Sequence, residues 1–161
     1  MTDWTHPQNW YGGNKTLYTQ LNTYLRDNLL WLKSRPFDTA ATGNISTTST
    51  TFVEATNSNL SLTTYGGNLL YWVCGQSWHS GAGIGEFTTF DLAVDGIRQG
   101  HVTYGTCIIT SHTANFRDCL TLNMITTTQI DAGTHNCSLY WKKTGVGTAN
   151  ANLYVNVLEI R

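Results

Sequence analysis

An uncharged apolar and aromatic run occupies residues 66–75, with glycines at both ends. Its bulk and its bounding glycines predict a strand between two turns. Side chains alternate along a strand, so Leu69, Tyr71 and Val73 would face one way while Trp72 faces the other. Because both faces carry bulky apolar groups, we expect each to be covered, by a second sheet or by another copy of the chain.

Further apolar segments are separated by residues typical of turns. Strand candidates lie at residues 52–56, 59–64, 68–74, 87–94, 101–110, 116–127, 133–143 and 152–160. Asp95-Gly96, between two alternating segments, predicts a hairpin with a type I′ turn. Residues 75–85 are rich in glycine and serine and predict a loop that carries Trp78 and His79. Strands at this spacing indicate an antiparallel two-sheet sandwich.

The N-terminal part has a different periodicity. Residues 16–34 repeat leucine at helical spacing, and Pro36 ends the pattern, which predicts one amphipathic helix. Residues 1–13 form an arm without a period, and its three large aromatic side chains need a surface, whether the chain's own helix, its own domain or a partner. The candidate anchoring side chains are Trp4, Trp10, Tyr11, Leu17, Leu21, Leu25 and Leu29.

Residues 37–51 consist largely of threonine, serine and alanine and hold little that could form a core. This composition predicts a linker. The sequence therefore predicts an arm and helix at residues 1–36, a linker at residues 37–51 and a mainly β domain at residues 52–161.

Charged residues make up only 12% of the chain, and the formal net charge is −1. Without a positive field, the chain is not expected to bind nucleic acid or anionic lipid. The sequence shows no signal peptide and no apolar run of membrane-spanning length, so we expect a soluble protein without membrane insertion. The cysteines lack a short C-x-x-C spacing and are interpreted as buried small apolar residues, with disulfides as the alternative. They are Cys74, Cys107, Cys119 and Cys137.

Arrangements typical of catalysis are not found in the sequence. Residues 75–79, Gly-Gln-Ser-Trp-His, begin like a nucleophile elbow but lack its closing glycine and the helix that follows it. Asp91 and Asp95 would lie about 13 Å apart on a strand, too far for a glycosidase acid pair. The histidines show no H-x-x-x-H spacing. We therefore predict no enzymatic activity, no metal site and no cofactor.

Four segments, in their order and spacing, resemble the jelly-roll modules related to the C1q and tumour-necrosis-factor fold in bacteriophage particle proteins. They are Thr-Thr-Tyr-Gly-Gly-Asn-Leu-Leu at 63–70, Leu-Ala-Val-Asp-Gly at 92–96, Asp-Ala-Gly-Thr-His at 131–135 and Val-Leu-Glu-Ile at 157–160. Residues 21–29, after Trp10-Tyr11-Gly12, resemble an N-terminal anchor shared by phage structural proteins. The chain departs from C1q-like receptor ligands in lacking a collagen stalk and an evident calcium cluster, so receptor signalling is not expected.

This resemblance implies a homotrimer on the exterior of a phage particle, bound to other virion proteins such as the major capsid protein. A capsid decoration (cement) protein is favoured, and the alternative is a tail fibre or receptor-binding protein that contacts host glycans through aromatic residues beside turns. A glycan hydrolase is the least favoured function. The possible ligand-contact residues are Trp78 and His79, and the candidate trimer and core residues are Leu69, Tyr71, Trp72, Val73, Leu153, Val155 and Val157.

Overall fold

The computed structural model describes residues 35–81, 86–110, 113–126 and 128–160. The chain divides into two units, Met1–Arg35 and Pro36–Arg161. The predicted arm and helix, with all the candidate anchoring side chains, lie outside the described residues. Within the described ranges, no helix has the length and apolar character of a membrane span.

The second unit consists of antiparallel strands, as the sequence predicts. Nine are described: β1 (Phe37–Thr47), β2 (Val53–Glu54), β3 (Leu60–His79), β4 (Phe87–Val94), β5 (Ile97–Arg98), β6 (Cys107–Thr110), β7 (Asp118–Ile125), β8 (Ile130–Thr144) and β9 (Ala149–Ile160). The first sheet contains β1, β9, the second half of β3, and β7. The second sheet contains β2, the first half of β3, β8, β4, β5 and β6.

The strands pair in a nested order, counted inward from the two ends of this unit. β1 pairs with β9, β2 with β8, β3 with β7, and β4 with β6. A long antiparallel ribbon rolled onto itself gives this order, which is that of a jelly roll. The arrangement places the two ends of the unit side by side in the first sheet.

One hydrophobic core lies between the two sheets. Leu69, Val73 and Val155 enter it from the first sheet, and Leu92 and Leu139 enter it from the second. Each of these side chains is fully buried. Such burial is worth roughly 1.5–3 kcal/mol for each side chain of this size. Packing between the inner faces of the two sheets therefore accounts for the apolar residues at alternate positions of the strands.

The predicted linker is wrong for residues 37–47, which form β1 along the edge of the first sheet. Threonine favours strands, and a strand with one solvated face needs few bulky residues. Ile45 and Thr42 supply the buried positions, with 8% and 2% of their surfaces exposed. The Thr42 hydroxyl also accepts a hydrogen bond from the backbone N–H of Leu153 at 2.9 Å. The composition of this segment thus fits an edge strand.

The glycines around the central run do not end a strand. β3 passes through Gly66 and Gly67, pairing with β8 up to Gly67 and with β9 from Asn68 onward. The glycines therefore lie where β3 passes from the second sheet to the first. The predicted loop at residues 75–85 is likewise wrong for residues 75–79, which continue β3.

The hairpin at Asp95-Gly96 is confirmed, with φ of 51° and 76° at the two central residues. The strand predicted at residues 101–110 is shorter, because β6 begins only at Cys107. Residues 101–105 form a turn that is closed by two backbone hydrogen bonds between His101 and Gly105, of 3.1 and 2.8 Å.

Candidate interaction face

The exposed side of the first sheet presents a continuous uncharged surface, here called the outer face. Strand registry aligns its residues in rows across β1, β9, β3 and β7. The first row is Phe37, Leu158, Leu70 and Ile125; the second is Thr39, Asn156, Trp72 and Asn123; the third is Ala41, Tyr154, Cys74 and Thr121. None of these side chains carries a charge.

Large apolar groups on the outer face remain exposed in the single chain. The exposed fractions are 59% for Phe37, 55% for Trp72, 49% for Ile125 and 56% for Tyr154. Single exposed hydrophobic residues are ordinary, whereas a contiguous apolar patch marks an interaction site. The outer face is thus the candidate functional site.

A shallow groove of about 230 Å³ crosses one end of the outer face. It is lined by Phe37, Leu70, Trp72, Asn156, Val157 and Leu158. The amide nitrogen of Asn156 donates to the backbone carbonyl of Trp72 at 2.9 Å. The hydroxyl of Thr39 donates to the amide oxygen of Asn156 at 2.9 Å. Both amide atoms of Asn156 are therefore engaged within the sheet.

The candidate trimer and core residues separate into two groups. Six of them are fully buried inside the chain's own sandwich: Leu69, Tyr71, Val73, Leu153, Val155 and Val157. Trp72 alone in that set lies on the outer face. The expectation that both faces of the central strand are covered therefore holds for one face of the isolated chain, and the other is open.

Trp78 and His79 lie at the end of β3. The guanidinium of Arg117 lies 4.4 Å from the centre of the Trp78 ring, a cation–π contact. His79 is 1% exposed, with its side chain directed into the protein. Burial leaves His79 unsuited to surface contact with a ligand, while Trp78 is half-buried.

Other aromatic residues beside turns are more exposed. Tyr104 is 57% exposed and stacks on His101 with ring centres 5.0 Å apart, and Phe116 is 61% exposed. These loops lie outside the outer face.

The cysteines are all free thiols. Cys137 alone is buried, while Cys74 and Cys107 are half-buried and Cys119 is exposed, so the interpretation of all four as buried is wrong. Burial raises the pKa of the Cys137 and Cys107 thiols, because loss of water disfavours the thiolate. Across the part of the chain that the structure describes, no three His, Cys, Asp or Glu side chains converge as metal ligands.

Sequence reasoning missed Phe37, Ile125 and Tyr154 as parts of this face. The side chain of each points to the same side of the first sheet as Trp72. That shared orientation is set by the registry between strands that are distant in the sequence. A signal for Tyr154 exists in β9, where it alternates with the buried Leu153 and Val155. Alternation gives the two faces of a strand but does not tell which neighbours share them.

Comparison with known proteins gives structural similarities alone. No family model and no curated protein sequence matches the chain. The Eiger TNF structure from S. frugiperda is 10% identical, with a TM-score of 0.43 over 79% of this chain and 94% of that chain. A chain of the T13 particle of infectious bursal disease virus is 12% identical, with a TM-score of 0.44 over 78% of this chain and 31% of that chain. A chain of the T=1 particles derived from that virus is 14% identical, with a TM-score of 0.40 over 78% of this chain and 32% of that chain.

The chain thus spans about a third of the length of those viral chains.

Proposed function

We propose that this chain is a non-enzymatic, homotrimeric structural protein on the exterior of a bacteriophage particle, most specifically a capsid decoration (cement) protein attached through residues 1–36. The observation that carries the proposal is the outer face. Four large apolar side chains and an absence of charge in its three rows fit a surface that is covered by protein.

A second copy of the chain is the occupant that fits this face best. Apolar surface removed from water contributes roughly 25 cal/mol per Å², so burial of four half-exposed side chains would stabilise each contact by several kcal/mol. Charge is depleted at the cores of protein interfaces, and aromatic residues are enriched there, as on this face. The number of copies, three, comes from the sequence resemblance to C1q-like jelly rolls.

Attachment to the particle is assigned to the N-terminal segment. Its leucine-lined helix and aromatic arm are expectations from the sequence, and in a trimer three such segments would act together. Linked binding events reinforce one another, so weak individual contacts with capsid subunits would give strong attachment.

Self-association is tested by sedimentation velocity on the full chain. The expected species contains three copies of the 17.9 kDa chain. Trp72→Lys places a charge within the outer face and should shift the protein to monomer. Ile97→Lys is the matched control, because Ile97 is 69% exposed in β5 of the other sheet. A wild-type monomer, or a trimer unaffected by Trp72→Lys, would contradict the outer-face interface.

Attachment is tested separately, by counting copies in purified particles. Quantitative mass spectrometry should find many trimers per capsid. In the full chain, Leu21→Asp with Leu25→Asp should abolish co-sedimentation with particles and leave the trimer intact. Thr23→Asp, away from the leucine side of the predicted helix, is the control. Retained binding of the leucine variant would refute the anchor assignment.

A receptor-binding protein of the tail is the second candidate, favoured by the exposed rings of Tyr104 and Phe116. Rings of this kind stack on sugars or on protein partners. A handful of copies per particle, with weaker adsorption to host cells for Tyr104→Ala, would favour this function over decoration.

A further inference from the structure

The exposed side of the first sheet continues past the outer face into two polar rows, here called the amide strip. The fourth row is Asn44, Asn152, Gln76 and Cys119. The fifth row is Ser46, Asn150 and Trp78, and Arg117, which directly precedes β7, lies beside Trp78. Neither row contains a bulky aliphatic residue. The same side of the sheet therefore changes from apolar to hydrogen-bonding character along its strands.

Arg117 supplies the charge of the amide strip. Its guanidinium lies 4.4 Å from the centre of the Trp78 ring, and its Nη1 atom donates to Oε1 of Gln76 at 3.3 Å. Among the described residues, no carboxylate forms an ion pair with Arg117. Asp118, the next residue, alternates to the other side of β7. Arg117 is thus an exposed, uncompensated charge, and its remaining N–H groups have the planar geometry that binds a carboxylate.

Amide side chains flank this charge. Nδ2 of Asn152 donates to Oδ1 of Asn44 at 3.2 Å. Within the part of the chain that the structure describes, Oδ1 of Asn152, Nδ2 of Asn44 and Nε2 of Gln76 have no hydrogen-bond partner. All three residues are exposed, so the strip offers both donors and an acceptor. A hydroxyl group also donates and accepts, whereas the side chain of an acidic peptide residue only accepts.

We propose that the amide strip binds an acidic glycan, with a sugar carboxylate on Arg117 and sugar hydroxyls on the amides of Gln76 and Asn152. Trp78 positions the guanidinium. Neighbouring strands are about 4.8 Å apart, so the strip extends roughly 14 Å across four strands, the length of a short oligosaccharide. The site lies within one chain and is independent of the proposed trimer and of particle attachment.

Titration of the ¹⁵N-labelled full-length protein at low ionic strength tests the site. The probes are tetragalacturonate, a hyaluronan tetrasaccharide and tetrameric sialic acid. At least one should shift the side-chain N–H signals of Arg117, Gln76 and Asn152. Its methyl ester, which keeps the hydroxyls and loses the charge, should bind roughly tenfold more weakly, the loss expected for a hydrogen bond to a charged group.

Arg117→Gln should weaken binding by a similar factor, and Arg117→Lys, which keeps the charge without the planar fork, should bind with intermediate affinity. Lys142→Gln is the matched control, because it removes a positive charge from β8 of the second sheet and should bind as wild type. Sedimentation of Arg117→Gln, run in parallel, reports self-association separately from glycan binding.

Absence of shifts at the amide strip with all the acidic probes would overturn the proposal. Equal binding of the methyl esters, or full binding by Arg117→Gln, would also overturn it, because neither result leaves a role for the charge. Tetra-aspartate tests the alternative occupant. Shifts with this peptide and none with the acidic glycans would assign the strip to an acidic protein segment and refute the glycan.

Discussion

Tyr71 and Trp72 are consecutive residues of β3, yet Tyr71 is fully buried and Trp72 is 55% exposed. The hydroxyl of Tyr71 donates to the backbone carbonyl of Ala93 at 3.1 Å and so connects the two sheets. Burial raises the pKa of this phenol far above its ordinary value. Two adjacent aromatic residues thus have different tasks, one inside the sandwich and one on the outer face.

This difference predicts that truncation of Tyr71 destabilises the protein far more than truncation of Trp72. Tyr71→Ala should lower the free energy of unfolding by about 3–5 kcal/mol, because it leaves a cavity and removes a hydrogen bond across the sheets. Trp72→Ala should change it by less than about 1 kcal/mol in the monomer. Urea unfolding followed by circular dichroism, at protein concentrations where the chain is monomeric, measures both. Equal losses would mean that Trp72 is part of the core.

The sequence predicts the inner half of the fold better than the outer half. The alternating apolar residues of β9 identify its buried face, because burial inside one chain is a local pattern. In β4 the same alternation does not, since Thr89, Asp91 and Ala93, between the apolar residues, are buried as well. Edge strand β1 is missed, since its threonine-rich composition lacks the bulk by which strands are recognised. The outer face is missed in part, because it is assembled by registry between β1, β3, β7 and β9, and registry is a long-range property.

A buried carboxylate organises the loop between β4 and β6. Oδ2 of Asp91 accepts from Nη1 of Arg98 at 2.9 Å, and Asp91 is fully buried. Oδ1 accepts from the backbone N–H of Gly100 at 2.9 Å and from the hydroxyl of Thr106 at 2.8 Å. Arg98 also lies 3.9 Å from the centre of the Phe52 ring. Asp91 thus has a structural role, with its acceptor sites satisfied.

Removal of this carboxylate should destabilise the protein strongly. Asp91→Ala should cost about 3–5 kcal/mol, because it leaves the Arg98 charge and two further donors without their acceptor. Glu54→Ala, at an exposed acidic residue, is the control and should change stability by less than about 0.5 kcal/mol. Both changes are measured from the midpoints of urea unfolding, provided that the dependence of the unfolding free energy on urea concentration (the m value) stays constant. A loss below about 1 kcal/mol for Asp91→Ala would show that water replaces the carboxylate.

Gly75 pairs with Leu153 of β9, and the backbone of β9 leaves no room for a side chain there. Its φ is +150°, and a Cβ atom there would collide with the backbone of Asn152 and lie 2.9 Å from Cα of Leu153. Gly75→Ala should therefore cost more than about 2 kcal/mol, since backbone atoms of β9 must move. Gly43→Ala is the comparison, because Gly43 has φ of +65° and no atom within 4 Å of the added Cβ. It should cost only about 1–2 kcal/mol of backbone strain. Thermal unfolding measures the loss of stability in both variants. Equal losses would contradict the close approach of the β9 backbone to Gly75.

The turn between β4 and β5 is held to β8 by an ion pair. Nδ1 of His135 lies 2.7 Å from Oδ2 of Asp95, and Nε2 of His135 lies 2.9 Å from the carbonyl of Asp131. Both ring nitrogens face acceptors, which favours the imidazolium. The hydrogen bond to Asp95 raises the pKa of His135, with burial acting in the opposite direction. The hydrogen bond from His135, with one from the Asn136 backbone, lowers the pKa of Asp95.

These shifts predict a stability contribution with a maximum between about pH 4 and pH 6.5. The His135 contribution is complete below the unfolded-state pKa and is lost as pH rises through the raised folded-state pKa. The Asp95 contribution is present above its unfolded-state pKa and is lost as pH falls through the lowered one. Because half of the Asp95 side chain is exposed, the contribution should stay below about 1 kcal/mol.

Asp95→Asn isolates this pair, since asparagine accepts the positive φ of the turn and keeps an oxygen for the Asn136 N–H. The difference in unfolding free energy between wild type and Asp95→Asn, followed from pH 3 to pH 9, should be largest inside that window and fall on both sides. The other histidines are present in both proteins, so their contributions to the unfolding free energy cancel in this difference. A difference that does not vary with pH would therefore show that His135 carries no charge in the folded protein. A difference that grows above pH 8 would reverse the assigned direction of its pKa shift.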